Sequence, residues 1–194
     1  GTDDTSESEH HFFTILDAAY ELGCAAVTVH GRSVVQRYVG PSSWPFLAKV
    51  KDHVGDRVLL GSGDLFTAVD CLQMLEQTGV DGVSIARGAI GNPFIFNEVR
   101  ALLAGRPLPD APSVAQQGAA IRRHMDLMVP VYGEKRASVL FRKFGVRYSE
   151  LHPCHDEVKK AFAAVRGPDD FGRVVERWYT DTDRYPPVQR RARP

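Results

Sequence analysis

Cys24-Ala-Ala-Val-Thr-Val-His30 is a short apolar run that ends in a polar residue, and it decides the fold. A continuous apolar run of this length is typical of a strand buried on both faces of a parallel sheet. A helix is predicted before it, because apolar residues recur at helical spacing from His10 to Leu22 and Gly23 then stops the helix. The chain therefore starts with a predicted helix that leads into a buried strand.

The same helix–strand unit repeats twice more, and a further helix follows. The predicted elements are a helix capped by Ser42 or Ser43 with Pro45 in its first turn, a strand at 57–61, a helix at 67–78 closed by Gly79, a strand at 81–86, and a helix capped by Asn92 with Pro93 at its first position. Strands that alternate with helices at a spacing of about 30 residues are typical of βα units. The pattern predicts an α/β fold with a parallel sheet.

The character of the chain changes after the proline-rich linker at 107–112. Ser113-Val-Ala-Gln116 fits a capping box, and the sequence beyond it shows helical but no strand patterns. Helices are predicted at 114–131, 134–150, 155–166 and 169–179. We therefore expect three segments: an α/β part over 1–106, a helical domain over 113–182 and a disordered tail over 183–194.

Composition excludes several classes of protein. Lys plus Arg and Asp plus Glu number 24 each, so a nucleic-acid partner would be held by a local basic surface rather than by net charge. The three cysteines form no C-x-x-C pair, which favours a reducing compartment over a disulfide framework. The sequence shows neither an apolar run of the roughly 20 residues that span a bilayer nor a secretory leader pattern. A cytoplasmic protein without membrane contact is expected.

Polar residues and glycines follow each of the three predicted strands. They are His30-Gly31-Arg32, Gly61-Ser62-Gly63-Asp64 and Ala86-Arg87-Gly88. The carboxyl ends of parallel strands meet at one edge, where glycines and free N–H groups let a phosphate approach closely. The second and third loops therefore predict a phosphate site with Arg87 as its cation. Simple strand-to-helix turns remain the alternative for each loop, as does a structural role for His30.

Three stretches resemble the bacterial tRNA-dihydrouridine synthase family. Val29-His-Gly-Arg-Ser-Val-Val-Gln-Arg-Tyr-Val-Gly40, with Trp44, is similar to the H-G-R-[TS]-x-x-Q-x-Y-x-G…W of that family. Gly61-Ser-Gly-Asp64 is similar to its G-N-G-D-I loop. Ile85-Ala-Arg-Gly-Ala-Ile-Gly-Asn-Pro-Phe-Ile-Phe96 is similar to I-[GA]-R-[GA]-A-x-G-[NR]-P-W-I-F. The departures are Ser62 in place of the usual Asn and Ala86 in place of a common Gly.

The resemblance implies the C-terminal portion of a (β/α)8 TIM barrel that holds FMN, followed by a small all-helical domain that binds tRNA. In the family, NADPH reduces the flavin, the flavin reduces a uridine of tRNA to 5,6-dihydrouridine, and a cysteine donates the proton. Motif matching assigns flavin contact to His30 and the FMN phosphate to Ser62, Gly63, Asp64, Ala86 and Arg87. Arg32 is expected to face the RNA.

The family's proton-donor cysteine is not found in this sequence. Neither the catalytic N-x-G-C-P loop nor the strand with a flavin-contacting lysine occurs, and Gly1-Thr-Asp-Asp4 resembles the loop after the family's fifth strand. Cys24 at a strand start, Cys71 on a helix and Cys154 near a helix start are predicted to be structural thiols. We therefore expect these 194 residues to be inactive by themselves.

Basic residues on one predicted helix suggest the RNA-binding surface. They are Lys135, Arg136, Arg142, Lys143 and Arg147, on a helix whose core side is predicted to include Val139, Leu140 and Phe144. Such a surface suits phosphate contacts, although a solvated helix face is the alternative reading. The family has a similar K-x-x-R-x-x-R-K-H segment, which favours tRNA.

Two rival functions remain, together with an expectation about assembly. The chain could be a non-catalytic tRNA-binding remnant, or another FMN-binding barrel oxidoreductase that acts on a small molecule. His152-Pro-Cys154-His155 lacks a fourth ligand at a recognisable spacing, so no metal site is expected. A three-stranded parallel sheet has open edges, which predicts self-association through the barrel edge.

Overall fold

The computed structural model describes residues 3–181 and 184–192, and the chain forms two compact units, Gly1–Gly88 and Ala89–Pro194. Residues 1, 2, 182, 183, 193 and 194 lie outside the described residues. Parts of the stretch at 1–4, of the predicted helical domain and of the predicted tail fall on them. The units divide after Gly88, whereas the sequence places the end of the barrel part at 106. The turn beyond Gly88 packs within the second unit, because a Cβ on Gly91 would lie 2.5 Å from the carbonyl of Arg147.

The first unit alternates helices with parallel strands. Its elements are α1 (Ser6–Glu21), β1 (Val27–His30), α2 (Trp44–Val54), β2 (Leu59–Ser62), α3 (Ala68–Thr78) and β3 (Gly82–Val83). The sheet order is β1-β2-β3, with Val27 opposite Leu59 and Leu60 opposite Gly82. The predicted alternation of helices and strands and the predicted parallel sheet are confirmed.

One face of the sheet packs against helices. A Cβ on Gly61 would lie 2.8 Å from the Met74 sulfur on α3 and 3.5 Å from the Leu47 side chain on α2. Val29, which pairs with Gly61, is buried on this same face. Residues alternate between the faces of a strand, so Thr28 and His30 lie on the other face, where both are exposed. Self-association through the open sheet stays a prediction.

Helix α1 begins earlier than its apolar pattern predicts. It starts at Ser6 rather than His10, because Thr5 provides the N-cap and its hydroxyl accepts the N–H of Ser8 at 3.2 Å. Of the two predicted caps of α2, Ser42 and Ser43, the structure has Ser43, and the predicted end of α3 at Gly79, in the left-handed conformation, is confirmed.

Strand β3 is much shorter than the predicted 81–86. Asp81, just before the strand, bonds to Leu59 of β2 twice: its N–H donates to the Leu59 carbonyl at 2.9 Å, and its carboxylate accepts the Leu59 N–H at 2.8 Å. Ser84 makes a last bond to the sheet, donating its N–H to the Gly61 carbonyl at 2.8 Å. The chain then leaves the sheet, which frees 85–88 to form a loop at its edge.

All regular elements in the described residues of the second unit are helices. A 3-10 turn, Arg87–Ala89, spans the boundary, and the helices that follow are α4 (Ile95–Leu103), α5 (Val114–Tyr132), α6 (Glu134–Ser149), α7 (His155–Ala163) and α8 (Pro168–Tyr179). Ser113 and Gln116 form the predicted capping box at the start of α5. The helix prediction after the linker is confirmed, with ends that differ by a few residues.

One helix start in this unit is wrong in the sequence prediction. The cap expected at Asn92 is wrong, because Asn92 is buried in a turn that its N–H closes onto the Ala89 carbonyl at 3.0 Å, and α4 begins only at Ile95. Helix α5 runs through Pro130 to Tyr132, one residue beyond the predicted end at 131.

The core of the second unit lies between α5, α6, α7 and α8. Helix α6 contributes Ala137, Phe141 and Tyr148 to it, whereas the predicted Leu140 and Phe144 pack only at its margin and Val139 is half-buried. The buried members are Val114, Ile121, Met125, Met128, Ala137, Phe141, Tyr148, Leu151, Val158, Phe162, Val165, Phe171, Val174, Val175, Trp178, Tyr179 and Val188.

The segment 184–192 makes specific contacts, although its composition suggested disorder. Val188 is 3% exposed, and its N–H donates to the Pro112 carbonyl at 2.9 Å. The Tyr185 ring lies 5.0 Å from the ring of buried His152. Apolar burial and backbone hydrogen bonds thus hold a segment that is rich in proline and arginine.

Candidate functional site

The six residues predicted to hold the cofactor line a single cleft in the first unit. The cleft has a volume of about 470 Å³ at the carboxyl end of the sheet. Residues from the ends of all three strands contribute: His30, Ser62, Gly63, Asp64, Ala86 and Arg87. Three loops that are far apart in sequence therefore converge, as the parallel sheet predicts.

Asp64 is the electrostatic centre of this cleft. Its carboxylate accepts one Arg32 nitrogen at 2.9 and 2.8 Å, Arg87 at 2.9 Å, and the N–H of Ser42 at 2.7 Å. Burial alone would raise the pKa of the Asp64 carboxyl. The Arg32 hydrogen bonds, the Ser42 N–H and the two cationic charges outweigh it and hold that pKa below its ordinary value. Asp64 is therefore an anion that two cations share.

Arg32, predicted to face RNA, is mostly buried beside Asp64. Its side chain is only 13% exposed. Its second terminal nitrogen donates to the Val39 carbonyl at 3.3 Å and approaches the Arg37 carbonyl at 3.5 Å. The guanidinium thus connects the Asp64 carboxylate to the loop at 33–41. Both ends of its planar fork are engaged within the protein.

Gln36 adds a second side-chain tie to the same loop. Its amide nitrogen donates to the carbonyls of Val39 at 3.0 Å and Pro41 at 2.8 Å. Arg37 adopts the left-handed conformation with φ 51°, which L residues other than glycine rarely adopt. The loop therefore holds its shape through side chains that bind its carbonyl groups.

Arg87 is the cation that remains accessible in the cleft. Its side chain is 43% exposed, compared with 13% for Arg32. The guanidinium lies 4.7 Å from the Tyr38 ring centre and 5.1 Å from that of Phe66. Two aromatic rings and the Asp64 carboxylate thus fix the direction of this side chain.

The glycines of the cleft are required by close packing. Gly63 has φ 143°, and a Cβ there would lie 2.0 Å from the Ser42 hydroxyl. A Cβ on Gly88 would lie 2.0 Å from the Leu65 carbonyl oxygen. Within the described residues, the N–H groups of Gly63 and Asp64 have no hydrogen-bond acceptor. They are therefore available to an anion.

The remaining predicted cofactor residues differ in exposure. Ser62 is 3% exposed, and its carbonyl accepts the N–H of Gly31 at 2.9 Å, whereas His30 and Ala86 are exposed. His30 also borders a second cleft of about 510 Å³, whose other wall includes Asp3, Asp4 and Glu9. His30 thus lies where a planar group in the first cleft and a second ligand could both reach it.

The predicted RNA-binding residues of α6 lie within the second unit. Lys135, Arg136 and Lys143 are exposed, and Arg142 is half-buried with its Nε donating to the Val139 carbonyl at 3.2 Å. Arg147 is exposed and forms an ion pair with Glu150 at 2.6 Å. Of the exposed side chains, Arg136 lies 5.9 Å from the Tyr132 ring centre and Lys143 lies 4.9 Å from that of Phe144.

The thiols and the histidine cluster supply no site in the described residues. Burial raises the pKa of the Cys71 thiol to about 12, Cys24 is exposed, and neither lines the cleft. His152 uses both ring nitrogens, with Nδ1 2.9 Å from the Cys154 N–H and Nε2 3.0 Å from the Trp178 carbonyl. No group of metal-ligating side chains is found between residues 3 and 181 or 184 and 192.

Sequence reasoning missed the supporting residues of the cleft. Ser42, Tyr38 and Phe66 were assigned no site role, although Gln36, Tyr38 and Trp44 stand in the long quoted motif. The indole N–H of Trp44 donates to the Gly63 carbonyl at 3.2 Å. Their spacing alone carries no signal, because these contacts arise only after two loops fold together.

Comparison with known proteins gives one family. The profile of the family described as Dihydrouridine synthase (Dus) matches residues 1–182. A "Probable tRNA-dihydrouridine synthase" of Mycobacterium leprae (strain TN) is 38% identical over 174 residues, which cover 88% of this chain and 45% of that protein. The protein of that name from Mycobacterium tuberculosis (strain CDC 1551 / Oshkosh) is 37% identical, with 88% and 44% covered.

A third relative differs more in sequence. The "tRNA-dihydrouridine synthase B" of Xanthomonas campestris pv. campestris is 34% identical over 156 residues, which cover 80% of this chain and 47% of that protein. The chain thus spans about half the length of the relatives it matches. Separately, none of the helices in the described residues is long and apolar enough to cross a membrane.

Proposed function

This chain belongs to the dihydrouridine synthase family, and on that basis we propose that it serves the FMN-dependent reduction of uridine to 5,6-dihydrouridine in tRNA, with NADPH as reductant. One observation carries the proposal. Six residues that the family motif assigns to FMN come from three separate strand ends and line one cleft. Any parallel sheet brings the loops after its strands to one edge, so the support lies in the residue types at that edge, which match the family motif except at Ser62.

The residues of the cleft fit a phosphate. The Gly63 and Asp64 N–H groups are available, and the Arg87 guanidinium is exposed and fixed in direction. These groups would hold the FMN phosphate, while His30 at the neighbouring strand end would contact the ring system. The Asp64 carboxylate itself points to the two arginines, so its contribution to the phosphate would come from its backbone N–H.

The bound flavin would supply a hydride to the uracil ring. The chain's own groups would orient the reactants: His30 lies at the border of the two clefts and is exposed to both. A uracil within tRNA must leave its stack to reach such a site. The exposed basic residues Lys135, Arg136 and Lys143 would hold the RNA backbone, since phosphate contacts set affinity rather than sequence choice.

Binding of FMN and of riboflavin tests the phosphate site. The purified chain is titrated with each flavin, and quenching of flavin fluorescence gives the Kd. We expect Arg87→Gln to raise the Kd for FMN about tenfold, because a charge-assisted hydrogen bond is lost, and to change the Kd for riboflavin little.

Arg57 provides a matched control for this variant. Arg57 comes just before β2 and therefore lies at the end of the strand opposite the cleft. Its guanidinium lies 3.7 Å from Asp17 and 5.2 Å from the Tyr20 ring centre. Arg57→Gln should leave both dissociation constants unchanged. Equal effects of Arg87→Gln on FMN and riboflavin would refute the phosphate assignment.

The proton donor is proposed to lie outside these residues. No cysteine lines the cleft in the part of the chain that the structure describes. With FMN, NADPH and unmodified tRNA, this chain is expected to bind tRNA but to form no dihydrouridine, measured by mass spectrometry of digested tRNA. A colourless preparation that still shifts tRNA on a gel would favour the non-catalytic tRNA-binding remnant. Dihydrouridine formation would overturn the assignment of the donor.

A further inference from the structure

We propose that Arg32 and Asp64 are positioning residues that hold the loop at 33–41 as a wall of the cleft and present Arg87 to the ligand. The proposal rests on the FMN function proposed above and reassigns Arg32, which the sequence placed at the RNA. The starting observation is that one carboxylate holds two guanidiniums. Two cations that share the Asp64 Oδ1 atom would repel each other without it.

The two arginines are not equivalent. Arg32 contacts both Asp64 oxygens and is 13% exposed, whereas Arg87 shares only Oδ1 and is 43% exposed. Both arginines line the cleft, but Arg87 presents much more of its side chain to a ligand there than Arg32 does. The Arg32 charge offsets that of Asp64, which leaves the Arg87 charge in excess near the cleft. Asp64 thus lowers the cost of placing a cation there without cancelling its attraction for an anion.

Arg32 acts on the loop as well as on the carboxylate. Its other terminal nitrogen binds the carbonyls of Val39 and Arg37, which flank Tyr38 on either side. Tyr38 has a side chain that is 75% exposed, and its ring lies 4.7 Å from the Arg87 guanidinium. Since little apolar burial holds Tyr38 in place, the ties to its neighbouring carbonyls and its contact with Arg87 set its position.

The same carboxylate fixes the far end of the loop. Ser42 follows the loop directly and donates its N–H to Asp64 Oδ2 at 2.7 Å. The loop is therefore attached to Asp64 at both ends, through the Arg32 side chain at one end and the Ser42 backbone at the other. Loss of the charge at Asp64 should loosen the whole segment and the aromatic contact to Arg87 together.

The test compares Asp64→Asn and Arg32→Lys with the wild-type chain. Lysine keeps the charge of Arg32 but cannot bind the carboxylate and two carbonyls with one planar fork. Amide hydrogen exchange is measured for peptides that cover 33–42, and fluorescence titration gives the Kd for FMN and for riboflavin. Both variants should speed exchange in the loop, and Asp64→Asn should raise the Kd for FMN about tenfold with riboflavin little changed.

Asp81→Asn is the matched control. Asp81 also binds one cation and one backbone N–H, Lys51 at 2.7 Å and Leu59 at 2.8 Å, yet it does not line the cleft. It should change neither loop exchange nor flavin affinity. Exchange in 33–42 that is unchanged in both cleft variants would overturn the proposal.

The tRNA measurement separates the two assignments of Arg32. Arg32→Lys should leave tRNA affinity unchanged in the absence of flavin. If it weakens tRNA binding while loop exchange stays as in the wild type, Arg32 is an RNA ligand and the proposal fails. A wild-type chain that binds no FMN would refute the proposed function, and the exchange data would still decide the positioning role.

Discussion

Addition of one methyl group at two helical glycines should have opposite effects on stability. Gly145 lies in α6, where a Cβ would come within 2.4 Å of the Phe162 ring atoms Cγ and Cδ1 and 2.9 Å of its Cβ. Gly172 lies in α8, where a Cβ would meet no atom within 4 Å. The same substitution, glycine to alanine, therefore isolates close helix packing from helix propensity.

The magnitudes follow from two opposing effects. Alanine stabilises a helix interior by about 1 kcal/mol relative to glycine at either site. At Gly145 the overlap involves the root of a ring that is fully buried against Phe141 and Tyr179, so the ring cannot swing away and the helices must separate. Overpacking of this kind costs about 1–3 kcal/mol. Gly145→Ala should lower the free energy of unfolding and Gly172→Ala should raise it.

Urea denaturation followed by tryptophan fluorescence measures the difference. The chain has two tryptophans, and Trp178 is the one in the helical unit, so a Trp44→Phe background reports on that unit. We expect the two variants to differ by about 2 kcal/mol, with unchanged m-values. Equal midpoints would show that α6 and α7 do not approach each other as closely as the Phe162 contact indicates.

Two further predictions concern buried ionisable groups. Burial lowers the pKa of His152, so the folded unit binds a proton at this imidazole less well than the unfolded chain does. The free energy of unfolding should therefore be highest above about pH 6.5 and fall as the pH drops below that value. Urea midpoints at pH 7.5 and 5.5 should differ less in His152→Gln than in the wild type. Burial raises the pKa of the Cys71 thiol to about 12, so a thiol reagent should label exposed Cys24 in the native chain but Cys71 only after unfolding; native labelling of Cys71, shown by peptide mass analysis, would contradict the predicted burial.

The strand positions and the convergence of the loops were predictable from sequence. Apolar runs before His30 and Gly61 sufficed, because in a parallel sheet the order of strands fixes which loops meet. The capping box at Ser113 was equally predictable, since it depends on two residues only three positions apart. Each of these features is local or follows from one rule of topology.

The roles of individual side chains were harder to predict. Arg32 looks like a surface cation in the sequence, and its burial depends on Asp64, which lies on another loop. Asn92 had a capping side chain but the wrong backbone, because its turn closes onto Ala89. The buried face of α6 includes Phe141 rather than the predicted Leu140 and Phe144. Several apolar residues on that helix could face the core, and only the packing of the neighbouring helices determines which of them do.

The contacts of 184–192 separate shared ancestry from independent folding. The family match ends at residue 182, yet Val188 and Tyr185 beyond it cover the linker at Pro112 and the buried ring of His152. A fragment that ended at residue 182, where the family match ends, would lack Val188 and Tyr185 and so expose part of the core of the helical unit. A family match shows which residues share ancestry, whereas the limits of an independently folding fragment depend on which apolar surfaces must be buried.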